Sequence, residues 1–283
     1  MKHILVTGAS TGIGYAVAQA FLEKGYHVYG SVRKQVDADR LVAELGSQFT
    51  PLLFDVTDLA AIKLAVAQVE REVGKEGLAC LVNNAGVATS GPLMLQPLDD
   101  FKMQFEVNVF GLLAVTQAFL PLLGAKENPG HAPGRILMIS SVGGKLSAPF
   151  LGAYTSSKHA VEGLSASLRM ELQLYGIDVI IIGPGAIQTP IWDKPSANDL
   201  GIFVDTAFAP MMTRFQKYFV NGGKTGLKAD ALGRDIVKIM EKRNPKVRYA
   251  FVPQKFKNWT VPMSLPARML DRIIGKATGL LKK

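Results

Sequence analysis

The stretch "TGASTGIG", Thr7 to Gly14, decides how the rest of the chain is read. It follows the apolar run "HILV" and leads into "YAVAQAFLEKG", whose apolar residues recur near a 3.6-residue period. A glycine-rich turn between a strand and a helix has a physical use. Gly8 permits a tight turn, and Gly12 and Gly14 let backbone and helix approach a ligand closely. The helix start then offers free N–H groups and a positive dipole end to a pyrophosphate. Gly8, Ser10, Thr11, Gly12, Ile13 and Gly14 are the residues expected at this cradle.

Outward from that turn, short apolar runs alternate with longer helical patterns. The strand candidates are "HILVTG", "HVYGSV", "PLLFDV", "ACLVNNAG", "RILMISS", "DVIIIGPG" and "VRYAFVP". They are apolar throughout, as strands are when helices cover both faces of a parallel sheet. The alternation predicts a single-domain, doubly wound α/β fold on a mostly parallel, Rossmann-type sheet of about seven strands. The core with the site residues spans 1–187, and a last helix and strand with a basic tail span 229–283. Between them, residues 188–228 show no strand pattern from Gln188 to Thr225, as a substrate-binding loop or lid would.

Composition narrows the classes. Nearly half of the 283 residues are hydrophobic, which argues against disorder. The single cysteine, Cys80, lies in an apolar run and reads as a buried thiol, so a reducing, cytoplasmic setting is expected. Four scattered histidines show no metal-ligand spacing, and no metal is expected. "HILVTGAS" enters structure too early for a signal peptide. Val107 to Ala125 carries no charge, yet Asn108, Thr116, Gln117 and Pro121 favour a buried core helix over a membrane span. The net charge of +9 is concentrated: Thr213 to Lys283 holds 17 Lys+Arg against 4 Asp+Glu.

The spacing Gly-x-x-x-Gly-x-Gly resembles the short-chain dehydrogenase/reductase family. The resemblance extends over roughly Lys2 to Thr189, through "NNAG" (Asn83 to Gly86), Asn108 in a helix, "ISS" ending at Ser141, "YTSSK" and "PGAIQT" (Pro184 to Thr189). The overall pattern looks most like the retinol and hydroxysteroid dehydrogenase branch. It implies an oxidoreductase that transfers a hydride between a nicotinamide and a carbonyl or alcohol, and a homo-oligomer. Asn83, Ala85 and Gly86 resemble the segment flanking the adenine ribose and nicotinamide. Pro184, Gly185, Ile187 and Thr189 match the nicotinamide pocket, and Asn108 matches the holder of a water that links Lys158 to solvent.

In NAD-type sites a carboxylate after the second strand binds the ribose hydroxyls. Here that strand ends "GSVRKQ", with Arg33 in the place of an acid, which favours NADP(H) over NAD(H) because a guanidinium grips a 2′-phosphate. Ser31 and Lys34 are candidate helpers. The family's frequent basic residue inside the glycine motif is absent, and Thr11 stands there. Asp55, at a strand end, is a candidate acceptor for the adenine amino group, with Val56 contributing its backbone; the competing role, a helix cap, suits Asp58 better.

The reacting centre is read from "AYTSSKHA", Ala153 to Ala160. Tyr154 and Lys158 lie four apart, on one helix face. An ammonium about 5 Å from a phenol, at an effective dielectric of about 20, stabilises phenolate by roughly 3 kcal/mol. That lowers the pKa by about two, and a phenol so tuned passes protons near neutrality. Ser141 ends its strand at the crevice, placed to hydrogen-bond a substrate oxygen, whereas Ser140 points the other way. Catalytic roles are therefore expected for Ser141, Tyr154 and Lys158, and the family resemblance implies one for Asn108.

"IFVDTAFAPMMTRFQKYF" is rich in Phe and Met, which fits either a bulky apolar, steroid- or retinoid-like substrate or lid packing. The tail "LPARMLDRIIGKATGLLKK" places its apolar residues on one helical face, for its own core, a partner subunit or an anionic membrane surface. No nucleic-acid motif accompanies the charge. A non-catalytic dinucleotide sensor or membrane-surface protein on the same fold is the competing class.

Overall fold

Strands apolar on both faces need cover on both sides, and seven of the runs assemble accordingly in the computed structural model, which describes residues 1–189 and 200–281. The strands are β1 (His3–Val6), β2 (His27–Val32), β3 (Phe49–Leu53), β4 (Leu78–Asn83), β5 (Arg135–Ile139), β6 (Asp178–Pro184), β7 (Ile187–Gln188), β8 (Leu227–Lys228) and β9 (Arg248–Phe251). Seven form one parallel sheet in the order β3-β2-β1-β4-β5-β6-β9, while β7 and β8 pair separately. The order reverses beside β1, which has β2 on one side and β4 on the other. That switch opens a crevice at the carboxyl ends of the strands.

The helices are α1 (Gly12–Leu22), α2 (Gln35–Leu45), α3 (Leu59–Val73), α4 (Leu98–Phe105), α5 (Leu112–Phe119), α6 (Gly152–Glu171), α7 (Ala209–Lys224), α8 (Ala229–Glu241), α9 (Val261–Ser264) and α10 (Ala267–Thr278). They cover the main sheet in two layers. On one face Phe21 of α1, Leu41 of α2 and Ile236 of α8 pack on Ile4, Val6 and Val28. On the other, Ile62 of α3, Val115 and Phe119 of α5 and Val161 of α6 pack on Leu5, Leu81 and Ile136. Alternate residues of one strand thus serve opposite cores. Cys80 is a fully buried member of the first core.

α4 and α5 belong to one helix, Leu98–Leu123, interrupted by a π turn at Glu106–Gly111. It is long and apolar enough to cross a membrane by length and composition, and half of its most apolar stretch is buried inside the protein. Arg135, at the start of β5, donates to the carbonyls of Met240, Lys242 and Arg243 and so ties down the end of α8.

β7 and β8 bracket the insertion, and the helix α7 occupies much of it. Its residues 190–199, and the tail residues 282–283, lie outside the described residues. α7 buries Met212, Phe215, Gln216 and Val220 along one face at helical spacing.

α8 meets α1 at Gly233, where a Cβ would collide with the Ala16 carbonyl. Gly233→Ala is expected to lower stability by about 1–3 kcal/mol through forced separation of the two helices. The midpoint of urea unfolding checks this.

Candidate active site

The glycine turn is built as its spacing implies. Gly8 and Gly12 have φ of +66° and +62°, which side chains rarely adopt. A Cβ on Gly14 would strike the Gly8 carbonyl, so α1 begins directly against the turn. Thr11 caps α1 with extended backbone and its side chain makes no cap hydrogen bond, leaving the first N–H groups of α1 facing the crevice. Ser10 and Ile13 flank that opening. The turn is held from behind. Ser31 Oγ accepts from Gly8 N at 3.0 Å, and Asn84 Nδ2 donates to the carbonyls of Thr7 and Gly8 at 2.9 and 3.1 Å. Ser31 is thus a buried support for the turn. Ala85 lies against Gly8, and Thr189 lies over Gly12. Glycines that no side chain can replace, beside an open helix start, fit a dinucleotide's pyrophosphate.

Just after β2, Arg33 is largely exposed and its Nη1 stands 3.8 Å from Asp55 Oδ2. Asp55 Oδ1 is occupied by the backbone and hydroxyl of Thr57, whereas Asp58 caps α3 through Ala60 and Ala61, so the cap belongs to Asp58. Val56 is buried over Gly111 of the π turn. Sequence reasoning missed Arg40. From α2 its Nη2 donates to the Ser10 carbonyl at 2.7 Å, bringing a cation to the glycine turn, with Asp37 and Glu44 beside it. Only the i,i+3 and i,i+4 acids around Arg40 marked it beforehand.

Two of the expected cofactor residues, Asn83 and Ile187, turn their side chains inward. Asn83 is buried, and its amide donates to Thr116 Oγ1 at 2.8 Å, away from the crevice. Strand alternation turns its side chain into the core and leaves only its backbone at the cleft. Ile187 packs its side chain into the first core while its backbone lies in β7 opposite Leu227. Pro184 and Gly185 do end β6 at the crevice, where Gly185 N donates to the Phe251 carbonyl at 2.8 Å.

The residues expected to act on substrate converge. Ser141 Oγ accepts from Gly143 N at 3.0 Å and so caps the short turn Val142–Gly144. A Cβ on Gly143 would lie 3.4 Å from both Ser141 Oγ and the Tyr154 ring. Lys158 Nζ sits 5.9 Å from the centre of the Tyr154 ring and donates to the Ile139 carbonyl at 2.9 Å. Asn108, in the π turn, accepts from Val87 N at 2.8 Å and donates to Val87 O and Ser157 Oγ at 2.9 and 3.0 Å. Both amide hydrogens are committed, so its side chain pins α6 to the segment after β4. Gly86 leaves room for it, since a Cβ there would lie 3.1 Å from Asn108 Oδ1.

The electrostatics correct the expectation of an acidified phenol. Burial is the largest influence on Tyr154 and raises its pKa above the ordinary tyrosine value, while a hydrogen bond with Ser141 acts in the opposite direction. Burial likewise pulls Lys158 down to about 8, and Glu162 opposes that fall. Desolvation disfavours each charged form, and it outweighs the Ser141 hydrogen bond in the one case and the Glu162 charge in the other.

The aromatic insertion reaches the same place. Phe150, Leu151, Phe203, Met212 and Phe215 form a separate apolar cluster, and Tyr154, Phe208, Met211 and Leu280 pack against it. Phe150 has φ +65°, an outlier for an aromatic residue, and meets Phe215 and Phe208 edge-on at 5.6 and 6.2 Å. These residues pack together as a small core of their own against which Tyr154 rests. Among the described residues no cluster suited to a metal ion occurs. A shallow hollow around His3, Lys75 and His131 lies at the amino ends of the strands, opposite this crevice.

A doubly wound sheet with a phosphate cradle and a serine, tyrosine and lysine at its carboxyl edge defines a class of nicotinamide-dependent oxidoreductase. The family model described as short chain dehydrogenase matches residues 2–199, and the chain belongs to that family. It is similar over 98% of its length, at 40% identity, to an NADPH-dependent 3-dehydrocapnine reductase of Ornithobacterium rhinotracheale, of which 97% is covered. It is 32% identical to a 3-ketodihydrosphingosine reductase of Bacteroides thetaiotaomicron, over 95% of this chain and 94% of that one. Among solved structures, a short-chain dehydrogenase from Streptomyces avermitilis superposes with a TM-score of 0.79 at 28% identity, covering 100% of this chain and 98% of that one.

The position of Lys158 yields a pH signature. Its folded pKa of about 8 lies below the ordinary 10.5, so between these values the unfolded chain binds more protons. Its burial penalty is full below pH 8 and is relieved as pH rises toward 10.5. Relative to Lys158→Met, the unaltered chain is expected to gain up to about 3 kcal/mol over that window. Parallel denaturant titrations at pH 7 and pH 10 check the sign.

Proposed function

We propose that this oxidoreductase uses NADPH to reduce a 3-keto group on a long, apolar substrate. The observation that carries the reading is the apolar wall on which Tyr154 rests, with Ser141 beside it at the crevice. An aromatic and methionine wall suits an acyl or prenyl chain, and the polar pair suits one oxygen at its end. Two relatives similar over almost the whole chain carry 3-keto reductase names, and one name specifies NADPH. Arg33 and Arg40, both near the glycine turn, support NADPH because a 2′-phosphate needs cationic partners.

When bound, the nicotinamide supplies the hydride. Ser141 hydrogen-bonds the carbonyl oxygen through its hydroxyl and orients it. Tyr154 gives its phenolic proton to that oxygen, and its raised pKa keeps the phenol protonated for this step. Lys158, held on the Ile139 carbonyl, stabilises the phenolate left behind and returns a proton toward solvent past Ser157 and Asn108. Tyr154→Phe is expected to cut turnover about 10²- to 10⁴-fold with NADPH affinity nearly unchanged, and Arg33→Ala to weaken NADPH about tenfold while sparing NADH. Absorbance of the reduced cofactor is followed with 3-ketodihydrosphingosine, a steroid ketone and retinal. Turnover confined to the last two returns the substrate to the steroid- or retinoid-like class, and a preference for NADH defeats the cofactor assignment.

The same reading accounts for the basic tail. Leu280 packs under the insertion, whereas Met269, Ile273 and Leu281 remain exposed alongside Arg268 and Arg272. An amphipathic, basic helix next to the substrate wall suits an anionic membrane surface from which an apolar substrate is drawn. Exposed Met103 and Phe110 on the long helix supply a face for a homo-oligomer. Flotation with anionic vesicles should carry the protein, and Arg268→Glu with Arg272→Glu should release it. Equal flotation on neutral vesicles would remove the electrostatic part.

A further inference from the structure

Behind Ser141 lies a buried charged network that none of the roles above uses. Ser140, which turns away from the crevice, donates its hydroxyl to Glu162 Oε1 at 2.8 Å. Glu162 follows Lys158 by one helical turn on α6, and its side chain is only 4% exposed. Arg248 of β9 brings Nε to within 3.0 and 2.9 Å of the two carboxylate oxygens, and its Nη2 donates to the Ser141 carbonyl at 3.1 Å. Gly183 of β6 makes room, since a Cβ there would press on the guanidinium. From outside, the Trp259 ring covers the guanidinium with its centre 4.6 Å away. Lys145 Nζ completes the set, 3.6 Å from Glu162 Oε2.

We propose that Glu162 and Arg248 are positioning residues for the reduction: the carboxylate–guanidinium pair fixes the Ser141 backbone and the Lys158 ammonium relative to Tyr154, with Trp259 closing the network from the C-terminal segment. This rests on the roles assigned above to Ser141, Tyr154 and Lys158. A buried carboxylate is tolerated only when paired and hydrogen-bonded, and Glu162 has a guanidinium, an ammonium and a hydroxyl around it. One planar guanidinium serves both Glu162 and the Ser141 carbonyl, so neither moves without the other. The carboxylate also acts on Lys158, opposing the burial that would strip its proton. The titratable and charged groups facing Glu162 are Lys158 from α6, Lys145 from the turn after β5 and Arg248 from β9. Among the described residues, β6 adds Gly183 against the guanidinium, and the segment after β5 adds the neutral Ser140.

The consequence is a change in pH profile that loss of packing alone would not produce. With Glu162→Gln the amide preserves shape but no longer favours the ammonium, so the alkaline edge of kcat/KM moves to lower pH by about one unit. kcat at pH 7.5 falls about tenfold, and NADPH affinity stays within about twofold. Arg248→Lys, which keeps the charge but loses the shared fork, lowers kcat with the edge nearly in place. The full chain is assayed with 3-ketodihydrosphingosine, NADPH affinity being read by fluorescence. An edge and kcat for Glu162→Gln that superpose on the unaltered chain overturn the proposal. If that variant binds no NADPH, Glu162→Asp decides: reduced kcat with an unmoved edge supports it, and unaltered kcat refutes it. Tyr154→Phe runs in parallel. Retained turnover there brings down the site assignment itself, whereas an inactive Tyr154→Phe beside an unaltered Glu162→Gln removes only the positioning roles.

Discussion

Burying the Lys158 ammonium removes it from water, and the surroundings of α6 are organised around compensating that loss. The Ile139 carbonyl accepts its hydrogen bond, the Tyr154 ring stands 5.9 Å away, and Glu162 lies one turn on. Each partner must be in place before the charge is tolerable, because a lone buried cation would surrender its proton. The carbonyl comes from β5, and the carboxylate is held by Arg248 on β9. A single charge thereby joins the helix to two strands and gives α6 one register on the sheet.

That constraint reaches outward in both directions. Asn108 ties α6 to the segment after β4 by satisfying both backbone groups of Val87 and the Ser157 hydroxyl. The π turn that carries it makes room, and Gly111 allows Val56 to close over the turn. On the far side the strained backbone of Phe150 aims an aromatic ring at α7, so the insertion docks beside Tyr154. Strain of order 1–3 kcal/mol at such a position persists only where packing over-determines it, and here two aromatic contacts do so.

The two ends of the crevice follow different physics. At the glycine turn, backbone geometry dominates: positive φ and absent Cβ atoms bring α1, β1 and Ala85 together, and Ser31 and Asn84 hold the turn from behind. At the reacting end, desolvation dominates and moves both Tyr154 and Lys158 toward their neutral forms. A protonated phenol and a lysine poised near pH 8 suit the proposed reduction, in which the phenol gives a proton and the lysine replaces it.

Much of this was legible in the residues alone. The alternation of apolar runs and helical patterns determined the parallel sheet, because period and burial are written in side-chain type. The glycine spacing located the cradle, and i,i+4 geometry put Tyr154 beside Lys158. Tertiary structure decided the rest. Arg40 reaches Ser10, Asn83 turns inward, and Arg248 meets Glu162 and Ser141 across 86 and 107 residues of chain. The sign of the Tyr154 shift also had to wait, since charge spacing is local and readable, whereas desolvation depends on everything the fold packs around a group.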